Sequence, residues 1–437
     1  MAADQQLLDA LATLWRIPQP GPDNLLSAPA FIALSELCDH RYGHGKAPFA
    51  LSNALRSLGL PCRLPLDKSG LVVGVSAAAA ALDAAYTRVT TVRRHICPLD
   101  LADDLPPITF GGARVAQFTA EELEKLFDAP RLARNFPALP LESKRLAQFH
   151  WLVVEEQVGI DPRPEARATP FMFLDMGRDF GEIEPHLGRF PPPVESVLFF
   201  LLLAWWEEWS TMPEVDWRGF RVPWIYTSDE DLFVRPARPP NPDSLTLEPW
   251  RVEDHWGEEI ELERPSTLPL DDIAEAELQL FTDTAWTEFQ AARTTPLFEP
   301  PVVHFLVRAF LADGVDEVMA HMTAIEAALG LESDHKRKLR PKPDPHGKLS
   351  ATERVAARIG AALADAKAAK DYKDLFELRS AFVHGRAGPH KVSTPQRILA
   401  RNLARRVACA LVALTAHPVR SRTHVLADLL DQGITYL

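Results

Sequence analysis

Apolar residues recur with two different periods along this 437-residue chain, and the change of period divides it into two parts. Before about residue 266, helical repeats are mixed with short runs in which apolar and polar residues alternate. A period of 3.6 residues is typical of helices and a period of two is typical of strands. Beyond residue 266 the helical period continues almost without interruption. The pattern predicts an α+β chain, with a mixed region over 1–265, in one or two subdomains, and an all-α domain over 266–437.

Local signals place the elements of the mixed region. Gly111 and Gly112 separate two alternating runs and indicate a hairpin, while Thr119 with Glu122 forms a helix capping box. Helices are expected over 7–14, 28–38 and 49–58 and in the alanine-rich stretch 76–85. Strands are expected for LVVGV, FHWLVVEE, PFMFLD, WRGFRVPWIYTS and DLFVRP, and proline-rich connections for ARPPNPDSLTLEPW and ELERPSTLPLDD.

The helices of the second part are predicted from longer repeats. They are expected over 271–293, 302–311, 315–329 and 355–363 and from Thr394 onward. In that last helix, leucines and valines from Leu399 to Leu414 predict the buried face, and Arg397, Arg401 and Arg405 are expected on the other side. The run VLFFLLLAWW is about ten residues long, whereas a membrane span needs about 20. We therefore expect a buried helix there and no membrane segment.

Charge and cysteine usage narrow the function classes. The net charge of −13 argues against a nonspecific nucleic-acid coat protein. From Asp371 to Leu437, however, ten Lys and Arg stand against five Asp and Glu, which leaves this end at +5. Either a local RNA-binding site or an ordinary charged helix surface accounts for that asymmetry. Four scattered cysteines and the absence of an export signal in MAADQQLLDALATLWRIPQP predict a cytoplasmic protein. We expect no metal and no cofactor.

The stretch DYKDLFELRSAFVHGRAGPH, from Asp371 to His390, carries the strongest candidate chemistry. Its apolar residues follow a helical period until Gly385, so Arg379 and His384 fall in the last turns of one helix. Five positions place them about 140° apart on an ideal helix. They meet at one site only if the helix end is distorted or the site is shared. Arginine suits phosphate oxygens and histidine exchanges protons near neutral pH, although capping of a helix end is the simpler alternative.

The motif RSAFVHG, preceded by LFEL and lying some fifty residues after DEVMAHMTAIEAALG, resembles the C-terminal domain of the ApeA-like group of the HEPN superfamily. The resemblance covers about 297–430. It implies a helical bundle that forms a homodimer, with an arginine and a histidine at the cleft between two protomers. It also implies metal-independent cleavage of RNA to a 2′,3′-cyclic phosphate, in antiphage defence or another stress response.

The same resemblance assigns roles to individual residues. Arg379 would hold the scissile phosphate, His384 would exchange protons with the 2′-hydroxyl or the leaving oxygen, and Glu326 would orient one of them or form a structural salt bridge. Active members often carry a strongly polar residue where this chain has Ser380. A noncatalytic RNA- or nucleotide-binding dimerisation module, or a structural scaffold, therefore stays open as an alternative. The residues expected to contact RNA are Ser380, Arg386, His390, Arg397 and Arg401.

Overall fold

The computed structural model describes residues 5–19, 21–168, 190–204, 218–253, 255–268, 270, 277–384, 391–418 and 421–437. They fall into two compact units, each built from separate stretches of the chain. The first comprises Met1–Asp100, Ala116–Ile183 and Pro223–Ser266, and the second comprises Leu101–Val115, Glu184–Val222 and Thr267–Leu437. The fold is α+β, with a sheet in the first unit and a helical C-terminal part. The last change of unit falls near residue 266, where the sequence placed its boundary, but the second unit also takes in 101–115 and 184–222.

Helices of the first unit bury regularly spaced leucines. Leu7, Leu11 and Leu14 are completely buried, as their spacing of four and three residues requires of one helix face. The predicted helices are confirmed. The unit contains α1 Gln5–Trp15, α2 Pro29–Tyr42, α3 Pro48–Ser57, α4 Val75–Thr87, α5 Ala120–Leu126, α6 Ala129–Asn135, α7 Ser143–Leu146 and α8 Pro164–Ala168.

The strand predicted for LVVGV is wrong. The N–H of Val72 donates to the Ser69 carbonyl in a turn, and the N–H of Val73 donates to the carbonyl of Leu58, fifteen positions earlier, so the run forms no ladder. The strands described are β1 Thr90–Leu99, β2 Leu101–Ala102, β3 Ile108–Phe110, β4 Ala113–Gln117, β5 His150–Gly159, β6 Tyr226–Asp229, β7 Leu247–Glu253, β8 Glu259–Pro265 and β9 Thr267–Leu268.

The sheet of the first unit has β1 between β5 and β6, antiparallel to both. Thr90 pairs with Gly159 and Leu99 with His150, so the β1–β5 ladder has no slip along its length. Side chains of β5 that face α5 to α7, including Trp151 and Val153, are fully buried. The paired halves, Ile96 to Leu99 of β1 and His150 to Val153 of β5, are buried at every position, so this part of the sheet is covered on both faces.

Hairpins account for most of the remaining strands. The predicted hairpin at Gly111 and Gly112 is confirmed as β3–β4, with φ of 51° and 80° at the two glycines. The pair β7–β8 overlaps the two segments predicted as connections, at 247–250 and 261–265, where Pro249 and Pro265 obscured an alternating pattern. DLFVRP was predicted as a strand, and this is wrong, because Asp231 there accepts turn hydrogen bonds from its own segment. PFMFLD lies outside the described residues.

The second unit is mainly helical but also contains the short parallel strand pair β2–β9, so the prediction that 266–437 is all-α is wrong at Thr267–Leu268. Helix α12 packs against α11, α14, α15 and α16. None of the helices that the structure describes is both long and apolar enough to span a bilayer. The helices are α9 Pro192–Leu201, α10 Asp283–Arg293, α11 Val302–Leu311, α12 Gly314–Leu329, α13 Glu332–His335, α14 Ala351–Leu363, α15 Ala366–Val383, α16 Thr394–Leu414 and α17 Arg422–Gly433.

One predicted helix, 271–293, differs from the structure. Residues 271–276 lie outside the described part, and the chain leaves helical conformation before Thr282. The Thr282 hydroxyl accepts a hydrogen bond from the N–H of Ala285 at 3.2 Å, which begins α10. A side-chain cap of this kind competes with helix continuation, so the single helix predicted there is wrong.

A buried ion pair and a close backbone contact hold α14 against its neighbours. Arg358 is 1% exposed and forms two hydrogen bonds with Asp334, of 2.5 and 2.9 Å, while its Nε donates to the carbonyl of Leu426 in α17. Gly433 of α17 lies so close to α14 that an added Cβ would come within 2.0 Å of the carbonyl oxygen of Ala357. Together they fix α13, α14 and α17 as one rigid block.

Candidate active site

The candidate site is built on the C-terminal half of α15. The helix begins at Asp365, whose carboxylate accepts hydrogen bonds from the N–H groups of Lys367 and Ala368. Asp365 also pairs with Arg406 at 2.7 Å, and this bond holds the pKa of its carboxyl below the usual value. The helix is thus anchored at its N-terminus to α16. Its other end carries the motif arginine and histidine.

Arg379 is held by the glutamate that the resemblance selected. Its Nη1 donates to Oε1 of Glu326 over 2.7 Å, and the two side chains are 27% and 29% exposed. Its guanidinium carbon lies 5.8 Å from the centre of the Phe376 ring, within the range of a cation–π contact. Among the described residues, neither Nε nor Nη2 of Arg379 has a hydrogen-bond partner. The guanidinium is oriented, and because Nε is buried, the donor that it can offer a ligand is Nη2.

Glu326 sits in the last turn of α12, facing α15. Burial raises the pKa of its carboxyl, and the charges of Arg379 and His335 oppose that rise. The N–H of Gly330 closes this end of the helix on the Glu326 carbonyl at 2.8 Å. A Cβ at Gly330 would lie 2.5 Å from that same oxygen, so the close turn requires glycine. The backbone beside the carboxylate is therefore fixed.

His384 is the first residue beyond α15. Its N–H donates to the Ser380 carbonyl at 3.0 Å, and its exposed ring has no partner among the described residues. Phe382 and Val383, just before it, are 48% and 56% exposed. They lie three and four positions after Arg379, which places all three on one helix face. The described part of the chain thus presents an arginine, two apolar side chains and a histidine at one helix end.

A cleft of about 270 Å³ opens beside the Arg379–Glu326 pair. Most of its walls are apolar, and Glu326, Tyr372 and Phe376 connect it to the ion pair. The remaining lining residues are Pro300, Ala327, Gly330, Leu331, Glu332, His335, Ala351, Thr352, Val355 and Arg422. Its rim at His335 follows Asp334, the partner of buried Arg358. The cleft is therefore bordered by the helices that Arg358 and Gly433 hold together.

Tyr372 is the least expected member of that lining. Its side chain is 1% exposed, yet its hydroxyl has no hydrogen-bond partner among the described residues. Burial, and next the nearby charge of Glu326, raise the pKa of this hydroxyl well above its usual value. The hydroxyl oxygen is not sealed from solvent, so water or a ligand in the cleft can hydrogen-bond it. Sequence reasoning assigned Tyr372 to the apolar stripe and missed its polar end.

Two of the predicted RNA contacts lie elsewhere. Arg397 donates to Oε2 of Glu317 from Nε and Nη2, at 2.9 and 2.7 Å. Arg401 is 2% exposed, and its Nη2 lies 2.5 Å from Oε1 of the same glutamate, which is completely buried. The prediction that this arginine stripe lies on the exposed side of α16 is wrong, because Arg405 is also only 4% exposed. The buried Glu317 carboxylate on α12 pairs with Arg397 and Arg401 and draws them toward the core. Arg401 is therefore not accessible to a phosphate.

The other predicted contacts are divided between the described and undescribed chain. Ser380 is half-buried on α15, between Arg379 and the helix end. Arg386 and His390 lie outside the described residues. Among the residues that the structure does describe, no three His, Cys, Asp or Glu side chains group together as metal ligands. None of the known family models, curated proteins or solved structures matches this chain.

Proposed function

We propose that this chain is a metal-independent endoribonuclease of the HEPN type, acting as a homodimer through its helical unit. The observation that carries the proposal is the 2.7 Å contact between Arg379 and Glu326 one turn ahead of exposed His384. The motif joined these three residues through a family resemblance, and two of them are in direct contact. Arg379 has a fixed orientation and a donor left over. These properties suit an arginine that binds a phosphodiester better than an arginine that only caps a helix end.

In this mechanism each residue acts on a different atom of the RNA. His384 removes the proton from the 2′-hydroxyl, or gives one to the departing 5′-oxygen, as a general acid–base. Arg379 donates hydrogen bonds to the nonbridging phosphate oxygens, where negative charge grows in the transition state. Glu326 keeps the guanidinium in place. The products are a 2′,3′-cyclic phosphate and a 5′-hydroxyl, and DNA, which has no 2′-hydroxyl, is not cut.

The exposed apolar pair at Phe382 and Val383 supports the dimer. Apolar side chains on the same helix face as a catalytic arginine are expected to be covered when the site is assembled. In a dimer packed through this face, each protomer brings its own Arg379 and His384 to a shared cleft. That arrangement also resolves the angular separation of the two residues on a single helix.

The setting that the resemblance suggests is antiphage defence or another stress response, in which the sheet-containing unit would sense a trigger or restrain the nuclease. A second candidate function is a noncatalytic RNA-binding dimer. Ser380 favours it, because a hydroxyl replaces the stronger polar group often present after the arginine. The two functions differ in one product: only the nuclease generates fragments.

The deciding experiment is incubation of the purified full chain with end-labelled structured RNA in excess EDTA. We expect fragments with cyclic-phosphate ends, and a loss of at least about 100-fold in rate for Arg379→Ala and for His384→Ala. Arg337→Ala and His424→Ala change an exposed arginine and an exposed histidine elsewhere in the same unit, and they should cut at the wild-type rate. Intact RNA with tight binding would support the noncatalytic module. Equal cutting by all four variants would reject the assignment of the site.

A further inference from the structure

We propose that the cleft beside Glu326 binds one nucleobase of the RNA, and that it selects a base with an exocyclic amino group, guanine above all. The base belongs to the nucleotide next to the scissile phosphate. This inference rests on the proposed ribonuclease function, because it assigns the specificity of the same site. It follows from the shape of the cleft, from two polar groups in its wall and from its position beside Arg379.

The shape suits a flat aromatic ring. Leu331, Val355 and the half-buried ring of Phe376 form apolar walls, and a base of single-stranded RNA is commonly held by stacking on such side chains. Sites for drug-sized ligands start at about 300 Å³. A cleft of about 270 Å³ is slightly smaller, which matches one base with part of its ribose and excludes a stacked pair.

Two polar groups in the wall have hydrogen-bonding capacity left. Arg379 takes Oε1 of Glu326, while Oε2 has no partner among the described residues. The Tyr372 hydroxyl is likewise without one, and it is accessible from the cleft. Both groups can therefore hydrogen-bond a ligand that enters the cleft, in place of the water that otherwise meets them.

The chemistry of these groups discriminates between bases. An ionised carboxylate accepts hydrogen bonds and donates none, whereas a tyrosine hydroxyl does either. Adenine, cytosine and guanine each present an amino group as a donor on the Watson–Crick edge, and uracil presents carbonyl oxygens on both sides of one N–H. Guanine places its ring N–H beside its amino group. It therefore meets both Oε2 of Glu326 and the tyrosine oxygen, while uracil brings an oxygen against the carboxylate.

The position of the cleft would couple binding of the base to binding of the phosphate. Glu326 lines the cleft and also holds Arg379, and Phe376 lies one helical turn before Arg379 on the same face. One nucleotide has its phosphate and its base at its two ends. Binding of the base would thus fix the orientation of Glu326, and through it the guanidinium that receives the phosphate.

The test measures binding apart from cleavage. Full-length protein in EDTA is titrated with GMP, AMP, CMP and UMP, and the order expected is GMP tightest and UMP at least about tenfold weaker than GMP. Tyr372→Phe removes only the hydroxyl and should weaken GMP binding about fivefold. Tyr436→Phe removes a hydroxyl of the same unit outside the cleft lining and should bind as the wild type does. Thr352→Leu adds bulk at the rim and should weaken all four nucleotides.

The outcomes separate this inference from the proposed function. RNA cleavage that shows no base preference, together with equal binding of the four nucleotides, would overturn the cleft assignment and leave the nuclease intact. Nucleotide binding in the expected order without cleavage would support the cleft and count against the nuclease. Wild-type binding by both Tyr372→Phe and Thr352→Leu would also overturn the cleft assignment. Thermal unfolding of each variant is the control that shows that the protein tested is folded.

Discussion

Arg379 and Glu326, 53 positions apart in sequence, form a 2.7 Å ion pair in which each side chain remains more than a quarter exposed. A pair placed only for stability would gain little at that exposure, because water screens it. A pair that orients a guanidinium for a substrate needs partial exposure. The two purposes predict different results when the carboxylate is replaced.

Replacing Glu326 with glutamine should lower cleavage without lowering stability. Burial raises the pKa of this carboxyl, so the folded state holds the proton more tightly than the unfolded state does. The free energy of unfolding of the wild type, relative to Glu326→Gln, should fall as pH rises from the ordinary carboxyl pKa of 4.5 through the raised folded value, and stay level outside that window. Chemical denaturation of both proteins across this range measures it. A glutamine variant less stable than the wild type at pH 7 would contradict the expectation.

Breaking the buried pair of Arg358 and Asp334 should destabilise the protein strongly. Arg358→Leu leaves a carboxylate that is completely buried without its partner, and a loss of about 3–5 kcal/mol is expected. Lys370→Ala breaks an exposed pair with Asp374 and should change stability by less than about 0.5 kcal/mol. Urea denaturation followed by circular dichroism compares the two. Equal midpoints for both variants would show that the buried pair contributes no more than the exposed one.

His321 should make the protein less stable in mild acid. Its pKa is lowered well below the ordinary 6.5 by burial, and further by the charges of Arg401 and Arg405. The unfolded chain therefore binds a proton below about pH 6.5 that the folded chain does not, and the free energy of unfolding falls by up to about 1.4 kcal/mol for each pH unit below that point. His321→Phe should lose this dependence, whereas His424→Phe, at an exposed histidine, should keep it. Parallel slopes in the two variants would rule His321 out as the cause.

An alanine at Gly433 should disrupt the contact between α14 and α17. The added Cβ would lie 2.0 Å from a backbone oxygen that has no room to move, and overpacking of this kind typically costs about 1–3 kcal/mol. Gly347→Ala is a matched control, because its nearest atom would be at 3.4 Å. Thermal unfolding of both variants decides the point. A Gly433→Ala protein with an unchanged midpoint would mean that α17 moves aside freely.

The helices of the second unit were predictable because their periods are long and uniform. Helix α12 follows its predicted range, and α16 begins at Thr394 as expected, with Ser393 as its side-chain cap. The contact between Glu326 and Arg379 was suggested by family resemblance, since no local pattern relates positions so far apart. Distant pairing is what a single sequence records least clearly.

Strand β1 shows why some elements were not predicted from the sequence. Its middle reads Arg93, Arg94 and His95, which indicates a loop by polarity alone. In the structure those charges meet acidic side chains of the flanking strands: Arg94 contacts Glu155 at 2.9 Å and His95 contacts Glu156 at 3.1 Å. The acidic partners lie on β5, about sixty residues later in the sequence. The sequence of β1 is therefore hydrophilic in its middle even though the strand lies in the centre of the sheet. The arginine stripe of α16 was misplaced for the same reason.

The alternation of the two units along the chain has a consequence for synthesis. The helical unit takes α9 from before residue 202 and its remaining helices from beyond residue 282, and the stretch 223–266 between them belongs to the other unit. A ribosome therefore releases α9 long before the helices that bury it exist. Arg379 and His384 emerge later still, and α16, to which α15 is anchored through Asp365 and Arg406, follows them. Under the ribonuclease function that we propose, partial chains would be catalytically silent, which would protect a cell from a nuclease that is still being made.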